Sequence, residues 1–146
     1  MQGIKNAARL AFIFIFGGIC YGLMEVIFRG RTHYSMFIAG GICFSLIILL
    51  DNRFGGRISL FTLSLLGSAV ITAVEFIFGV IFNIWLGMTV WDYSSAPFNL
   101  LGQVCLPFSL LWIIVSAAAI LLNRFVLSRA FSRKSQGVNA KKCKNF

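Results

Sequence analysis

Two glutamates stand inside apolar sequence, and carboxylates in that setting are where chemistry is to be sought first. Glu25 falls near the end of "LAFIFIFGGICYGLMEVIF", residues 10–28, and Glu75 is the single charged residue in the stretch 58–90. Placing an acidic side chain at bilayer depth costs about 2.5–3.5 kcal/mol on insertion scales. One that persists there is expected to bind a cation, carry a proton or hold a polar solute, or else to staple helices together by pairing with Arg29 or Arg31. Glu25 and Arg29 are four residues apart, the spacing that lets opposite charges meet along one helix. A third group lies in "VWDYSSAPFNLLGQVCLPFSLLW", residues 90–112, where Trp91, Asp92, Tyr93 and Asn99 crowd hydrogen-bonding groups at an apparent membrane boundary. The candidate substrate- or ion-binding residues are therefore Glu25, Arg29, Arg31, Glu75, Trp91, Asp92, Tyr93 and Asn99. His33 and the aromatic pair Trp91 and Tyr93 also have a plainer reading as interfacial residues. Pro107 is expected to kink the last span and free a carbonyl.

Other chemistries lack their residues. The sequence shows no G-x-S-x-G elbow and no metal-ligand spacing, so neither an enzyme nor a metal or other cofactor is expected. Cys20, Cys43 and Cys105 fall in apolar runs and read as small core residues.

Composition supplies the solvent. Hydrophobic residues make up 59% of the 146 and charged residues 12%, about half the usual share of a soluble domain. The mean hydropathy is +0.90. A soluble fold of this length buries too little surface to hide so many apolar side chains, whereas a bilayer accepts them. The net charge is +9, but the Lys and Arg residues concentrate in the tail from Arg124 to Lys144. That placement suits the positive-inside bias and an anionic lipid surface, and nucleic acid is not an expected partner.

Four apolar segments can position the candidates: 10–28, 34–50, 58–90 and 100–122. A span needs roughly 20 residues. The third segment would reach about 50 Å as one helix, so it is expected to tilt, or to end near Asn83 and continue along the interface through Trp85, Trp91 and Tyr93. The expectation is an all-α membrane protein: a four-transmembrane-helix bundle over residues 1–123, followed by a disordered basic tail over 124–146. Lys5 and Arg9, the connection "DNRFGGR" and the tail then share one side, which makes both termini cytoplasmic in a multi-pass cell-membrane protein of bacterial type. Arg29 and Arg31 fall on the disfavoured side and call for a carboxylate partner. The start of the chain looks like a signal peptide without a cleavage site, hence an uncleaved first span.

Spacing sharpens the third span. Ser64, Ser68, Thr72, Glu75, Gly79 and Asn83 recur at helical intervals on one face, which is expected to point into the bundle. In the first span Gly18, Gly22, Glu25 and Arg29 follow the same scheme, Gly18 and Gly22 as a GxxxG contact. "EVIF" at 25–28 against "EFIF" at 75–78, with "FIAGGICFSL" loosely matching "FNLLGQVCLPFSL", suggests two repeated helical hairpins.

The stretch "WDYSSAPFNLLGQVC", carried by Trp91, Asp92, Tyr93, Ser94, Pro97, Asn99, Gly102 and Cys105, together with Tyr21, Gly22 and Glu25 of "YGLMEVIFR", resembles the ABC-transporter type IV family of CmpB-like small membrane proteins. The resemblance implies a multi-pass permease. The sequence has no G-x-x-x-x-G-K-[ST] loop, so ATP hydrolysis is expected from a separate nucleotide-binding subunit, and four spans imply a homo-oligomer or a subunit beside other chains. The function expected is a transport-related membrane protein with a polar site in the outer half of the bundle. The alternative is a non-transporting scaffold or regulator that binds lipids or partner proteins, for which the basic tail would be essential.

Overall fold

A computed structural model describes residues 2–127 and Arg129, with side chains for 6–126 and Arg129. Helix α1 runs Gln2–Arg29, α2 Tyr34–Phe54, α3 Leu60–Gly79 and α4 Leu106–Leu122. A π-helical segment, Val80–Trp85, prolongs α3, and another, Asn123–Leu127, prolongs α4. The stretches Asn6–Arg29, Tyr34–Phe54, Leu60–Trp85 and Leu106–Val126 are each long and apolar enough to cross a membrane. The third helical path therefore stops at Trp85, close to the expected end, and residues 86–98 form an irregular loop. The fourth span starts at Leu106 rather than at 100, because residues 99–105 make a small antiparallel hairpin, β1 (Asn99–Leu100) and β2 (Val104–Cys105), in register Asn99↔Cys105. Pro107 accordingly lies in the first turn of α4, where its missing N–H costs nothing. It begins a helix and kinks none. Of the segment expected to be a tail, 124–127 is helical; residues 128 and 130–146, with Cys143, lie outside the described residues.

Helix starts follow local chemistry. Ser59 caps α3, its hydroxyl accepting from the Thr62 N–H at 3.1 Å, and the His33 ring accepts from the Ser35 N–H at the start of α2. Gly30, at φ +70°, makes the turn between α1 and α2.

The α1–α2 contact is built on a repeat the expected hairpin duplication does not include. "FIFGGICY" at 14–21 and "FIAGGICF" at 37–44 cross antiparallel, and their contacts are reciprocal. A methyl at Gly17 would lie 2.9 Å from the Gly40 carbonyl oxygen, and one at Gly40 would lie 2.9 Å from the Gly17 carbonyl oxygen. Gly18 faces Phe37 and Gly41 faces Phe14, while the Phe14 and Phe37 rings meet edge to face at 6.3 Å. Small residues let the backbones approach where lipid offers no hydrophobic drive. Of the expected GxxxG pair only Gly18 is in such contact; Gly22 has nothing nearer than 3.7 Å. "EVIF" and "EFIF" sit at different depths, Glu25 one turn from the end of α1 and Glu75 well inside the third span.

α2 lies at the centre, packed on α1 to one side and on α3 and α4 to the other. The core joins Ile13, Cys43, Ile47, Leu63, Ile71, Trp112 and Ile120 across all four helices. The Leu, Ile and Phe side chains of the outer faces are exposed, as a lipid solvent allows. At the end where α1 begins and α4 finishes, buried Asp51 accepts from Arg124 at 2.7 and 2.9 Å and from Asn123 at 2.9 Å, tying α2 to the end of α4.

Candidate functional site

At the opposite end, residues 86–105 fold into a cap. Asn83 anchors it: its amide donates to the Trp91 carbonyl at 3.0 Å and to Gln103 Oε1 at 2.8 Å, and its Oδ1 accepts from the Val90 N–H at 2.7 Å. The Trp91 indole N–H donates to the Gln103 carbonyl at 2.8 Å, and the Tyr93 N–H to the Gly102 carbonyl. Asp92 takes both the hydroxyl and the N–H of Ser94, which hold its exposed carboxyl below the ordinary carboxylate range. The Asn99 amide donates to the Ser94 and Ala96 carbonyls and its oxygen accepts from the Gly102 N–H. Gly102, at φ +67°, has Ser94 Oγ where a Cβ would go. These contacts account for most of the polar groups crowded into 90–103: they satisfy a folded loop.

The cap delivers Tyr93 into the bundle. Its ring is buried, stacked on Phe108 at 4.9 Å, and its hydroxyl accepts from Arg29. Burial, and then nearby Glu75, raise the Tyr93 hydroxyl well above the ordinary phenol value, against the pull of Arg29. Arg29 also reaches Glu25 at 3.2 Å, and the Thr32 hydroxyl donates to the second Glu25 oxygen at 3.0 Å. The expected Glu25–Arg29 pair is thus formed, and Arg29 bridges α1 to the cap.

Glu75 lies deeper and is 2% exposed. Tyr21 of α1 donates its hydroxyl to one oxygen, and the Trp112 indole N–H of α4 donates to the other at 2.9 Å. Neither Arg29 nor Arg31 pairs with it; both ion pairs among the described residues lie elsewhere. Of the polar stripe on α3, Ser64, Ser68, Glu75 and Gly79 are buried. Ser68 donates to the Ser109 carbonyl at 2.5 Å and Thr72 shares a 3.0 Å contact with the Ser109 hydroxyl, so the stripe faces α4.

Between these layers is a cleft of about 20 Å³, lined among others by Tyr21, Glu25, Arg29, Tyr93, Phe108 and Trp112. That volume holds about one water. Glu25, Arg29 and Tyr93 are brought together at the cleft, with Glu75 directly behind its Tyr21–Trp112 wall. Trp91, Asp92 and Asn99 belong to the cap's own bonding, and Arg31 is exposed at the turn. The residues not foreseen as candidates are Tyr21, Phe108 and Trp112, together with Thr32. Trp112 is one helical turn from Phe108, an aromatic stripe that was the available signal. No group of three or more His, Cys, Asp or Glu side chains able to hold a metal occurs among the described residues.

Four apolar helices closed by a folded cap define a multi-pass membrane protein. The chain belongs to the family described as "Putative ABC-transporter type IV", whose model matches residues 10–141. No curated protein and no solved structure matches it.

Proposed function

We propose that this chain is a membrane subunit concerned with transport, a permease or solute-binding component, whose site is the cleft lined by Glu25, Arg29 and Tyr93 and backed by Glu75. The observation carrying this reading is Glu75 itself, a carboxylate 2% exposed in a membrane span, held by neutral donors and by no cation among the described residues. The staple expected from pairing with Arg29 or Arg31 is not the one formed. A cleft of about 20 Å³ has room for a water or an ion of that size, and with Glu25 and Arg29 on its walls a small ion is the solute this reading favours. The family description supports transport.

The positive-inside bias supports termini in the cytoplasm, with Arg53, Arg57 and Arg124 at their end and the cleft opening outward. Arg29, on the disfavoured side, has its carboxylate partner in Glu25. Any ATP-driven step belongs to a separate nucleotide-binding subunit, and a homo-oligomer or mixed assembly supplies the remaining spans of a permease.

The test is reconstitution in liposomes under gradients of Na⁺, K⁺, H⁺ and Cl⁻, each followed with a selective indicator, beside mass spectrometry of proteins co-purifying in mild detergent. Flux of one ion that Arg29→Gln reduces supports the reading, as does ATP-dependent flux with a co-purified nucleotide-binding protein. A folded chain that moves none of the four, alone or with its partners, contradicts it.

A further inference from the structure

We propose that Glu75 is a proton-binding site and that Tyr21 is the relay that loads it from the cleft. The inference rests on the cleft being the site identified above and adds the identity of the ion.

The donor set selects the proton. A bound metal cation needs several oxygen acceptors around it, but the two groups on Glu75 are an O–H and an N–H, both pointing their hydrogens at the carboxylate. A charge enclosed by neutral donors and protein is costly to keep at bilayer depth, and one proton cancels it without displacing either neighbour. The charged and titratable groups near enough to act on Glu75 electrostatically are Tyr21, Glu25 and Arg29 from α1, Cys43 from α2 and Tyr93 from the cap. Among these Arg29 is the only cation, and its hydrogen bonds go to Glu25 and Tyr93.

The route follows from which groups can pass a proton. Tyr21 and Trp112 both line the cleft and both touch Glu75. An indole N–H only donates, whereas a phenol donates and accepts at once. In the loading step a hydronium in the cleft gives a proton to the Tyr21 oxygen while the Tyr21 O–H proton passes to Glu75. A water, a neutral tyrosine and a neutral carboxyl remain, with the carboxyl now donating back to the Tyr21 oxygen. Gly40 fixes the relay, because Tyr21 packs on it so closely that a methyl there would overlap the Tyr21 Cβ.

The chain has two glutamates, Glu25 and Glu75, so carboxyl-¹³C glutamate labels two groups. The experiment is a pH jump on the labelled full chain in lipid vesicles, read by time-resolved infrared absorption of the protonated carboxyl. The expected result is a band that rises on acidification, vanishes in Glu75→Gln and persists in Glu25→Gln, which assigns it even where Glu75→Gln folds poorly. Tyr21→Phe should slow its rise about a hundredfold, the lower end of what a positioned proton-transfer group contributes. Trp112→Phe, which removes the other donor but no relay, should leave the rate within about twofold on the same argument. No glutamate band responding to pH in Glu25→Gln overturns the proton site, and a wild-type rate in Tyr21→Phe overturns the relay. The readout needs no transport, so a titrating Glu75 in a chain that moves no ion contradicts the proposed function and leaves this inference standing.

Discussion

Gly40→Ala is the substitution in which fold and site are most closely joined. The added methyl would overlap the Tyr21 Cβ and lie 2.9 Å from the Gly17 carbonyl oxygen. Ordinary carbon contacts rest at about 3.5–4.0 Å, so relieving the overlap with the Tyr21 Cβ requires α1 and α2 to separate by about 1 Å or more. One obstacle is backbone and cannot rotate away. Overpacking of this kind costs about 1–3 kcal/mol, and the upper half of that range is expected here. Because the reciprocal Gly17–Gly40 crossing carries Tyr21, the same shift draws the tyrosine hydroxyl away from Glu75. The assay is reversible unfolding in mixed micelles, followed by helical circular dichroism, with Gly22→Ala as the control. Gly22 has open space to 3.7 Å, so its substitution should leave stability unchanged or raise it by up to about 1 kcal/mol through helix propensity. Equal stabilities for Gly40→Ala and Gly22→Ala would refute the close crossing and the placement of Tyr21 that depends on it.

Two further outcomes are expected from groups outside the cleft. Asp51→Ala should lower stability by about 2 kcal/mol in the same unfolding assay, less than the roughly 3–5 of a fully buried pair because Arg124 is one-third exposed. For Asp92 the folded carboxyl is held below its ordinary value by Ser94. A depressed folded pKa stabilises the cap above the unfolded value, about 3.9, and that contribution disappears as pH falls through the folded value. Ser94→Ala should therefore move the Asp92 midpoint upward, toward the unfolded value, in a carboxyl-¹³C aspartate NMR titration; an unmoved midpoint would contradict the Ser94 contacts.

The spans and the inward stripe of α3 were legible because both are periodic, and a helix states its facing residues at intervals of three and four. Glu25–Arg29 was legible for the same reason, being a pair within one helix turn. What surrounds Glu75 was not. Tyr21 is 54 residues away in sequence and Trp112 is 37, and an aromatic residue in an apolar run looks like packing until its polar atom is seen to have a partner. The loop shows the opposite effect. Asp92 and Asn99 drew attention as polar groups, yet short Asp and Asn side chains commonly bind their own loop backbone, and here they do. Tyr93 differs from its neighbours in having Arg29 within reach. The Pro107 expectation turned on where α4 begins, a boundary set by the β1–β2 hairpin rather than by the hydropathy of residues 100–105.

The central claim is that Glu75 belongs to a site and is more than a helix staple. The most direct measurement takes Glu75→Gln, reconstituted in liposomes, and reads thermal stability and ion flux on the same preparation. Gln keeps an oxygen for the Trp112 donor and removes the buried charge. The expected result is a melting temperature equal to the parent's or higher, with flux lost. A lowered melting temperature with full flux per folded molecule would show that Glu75 holds the helices together and leaves transport to other residues.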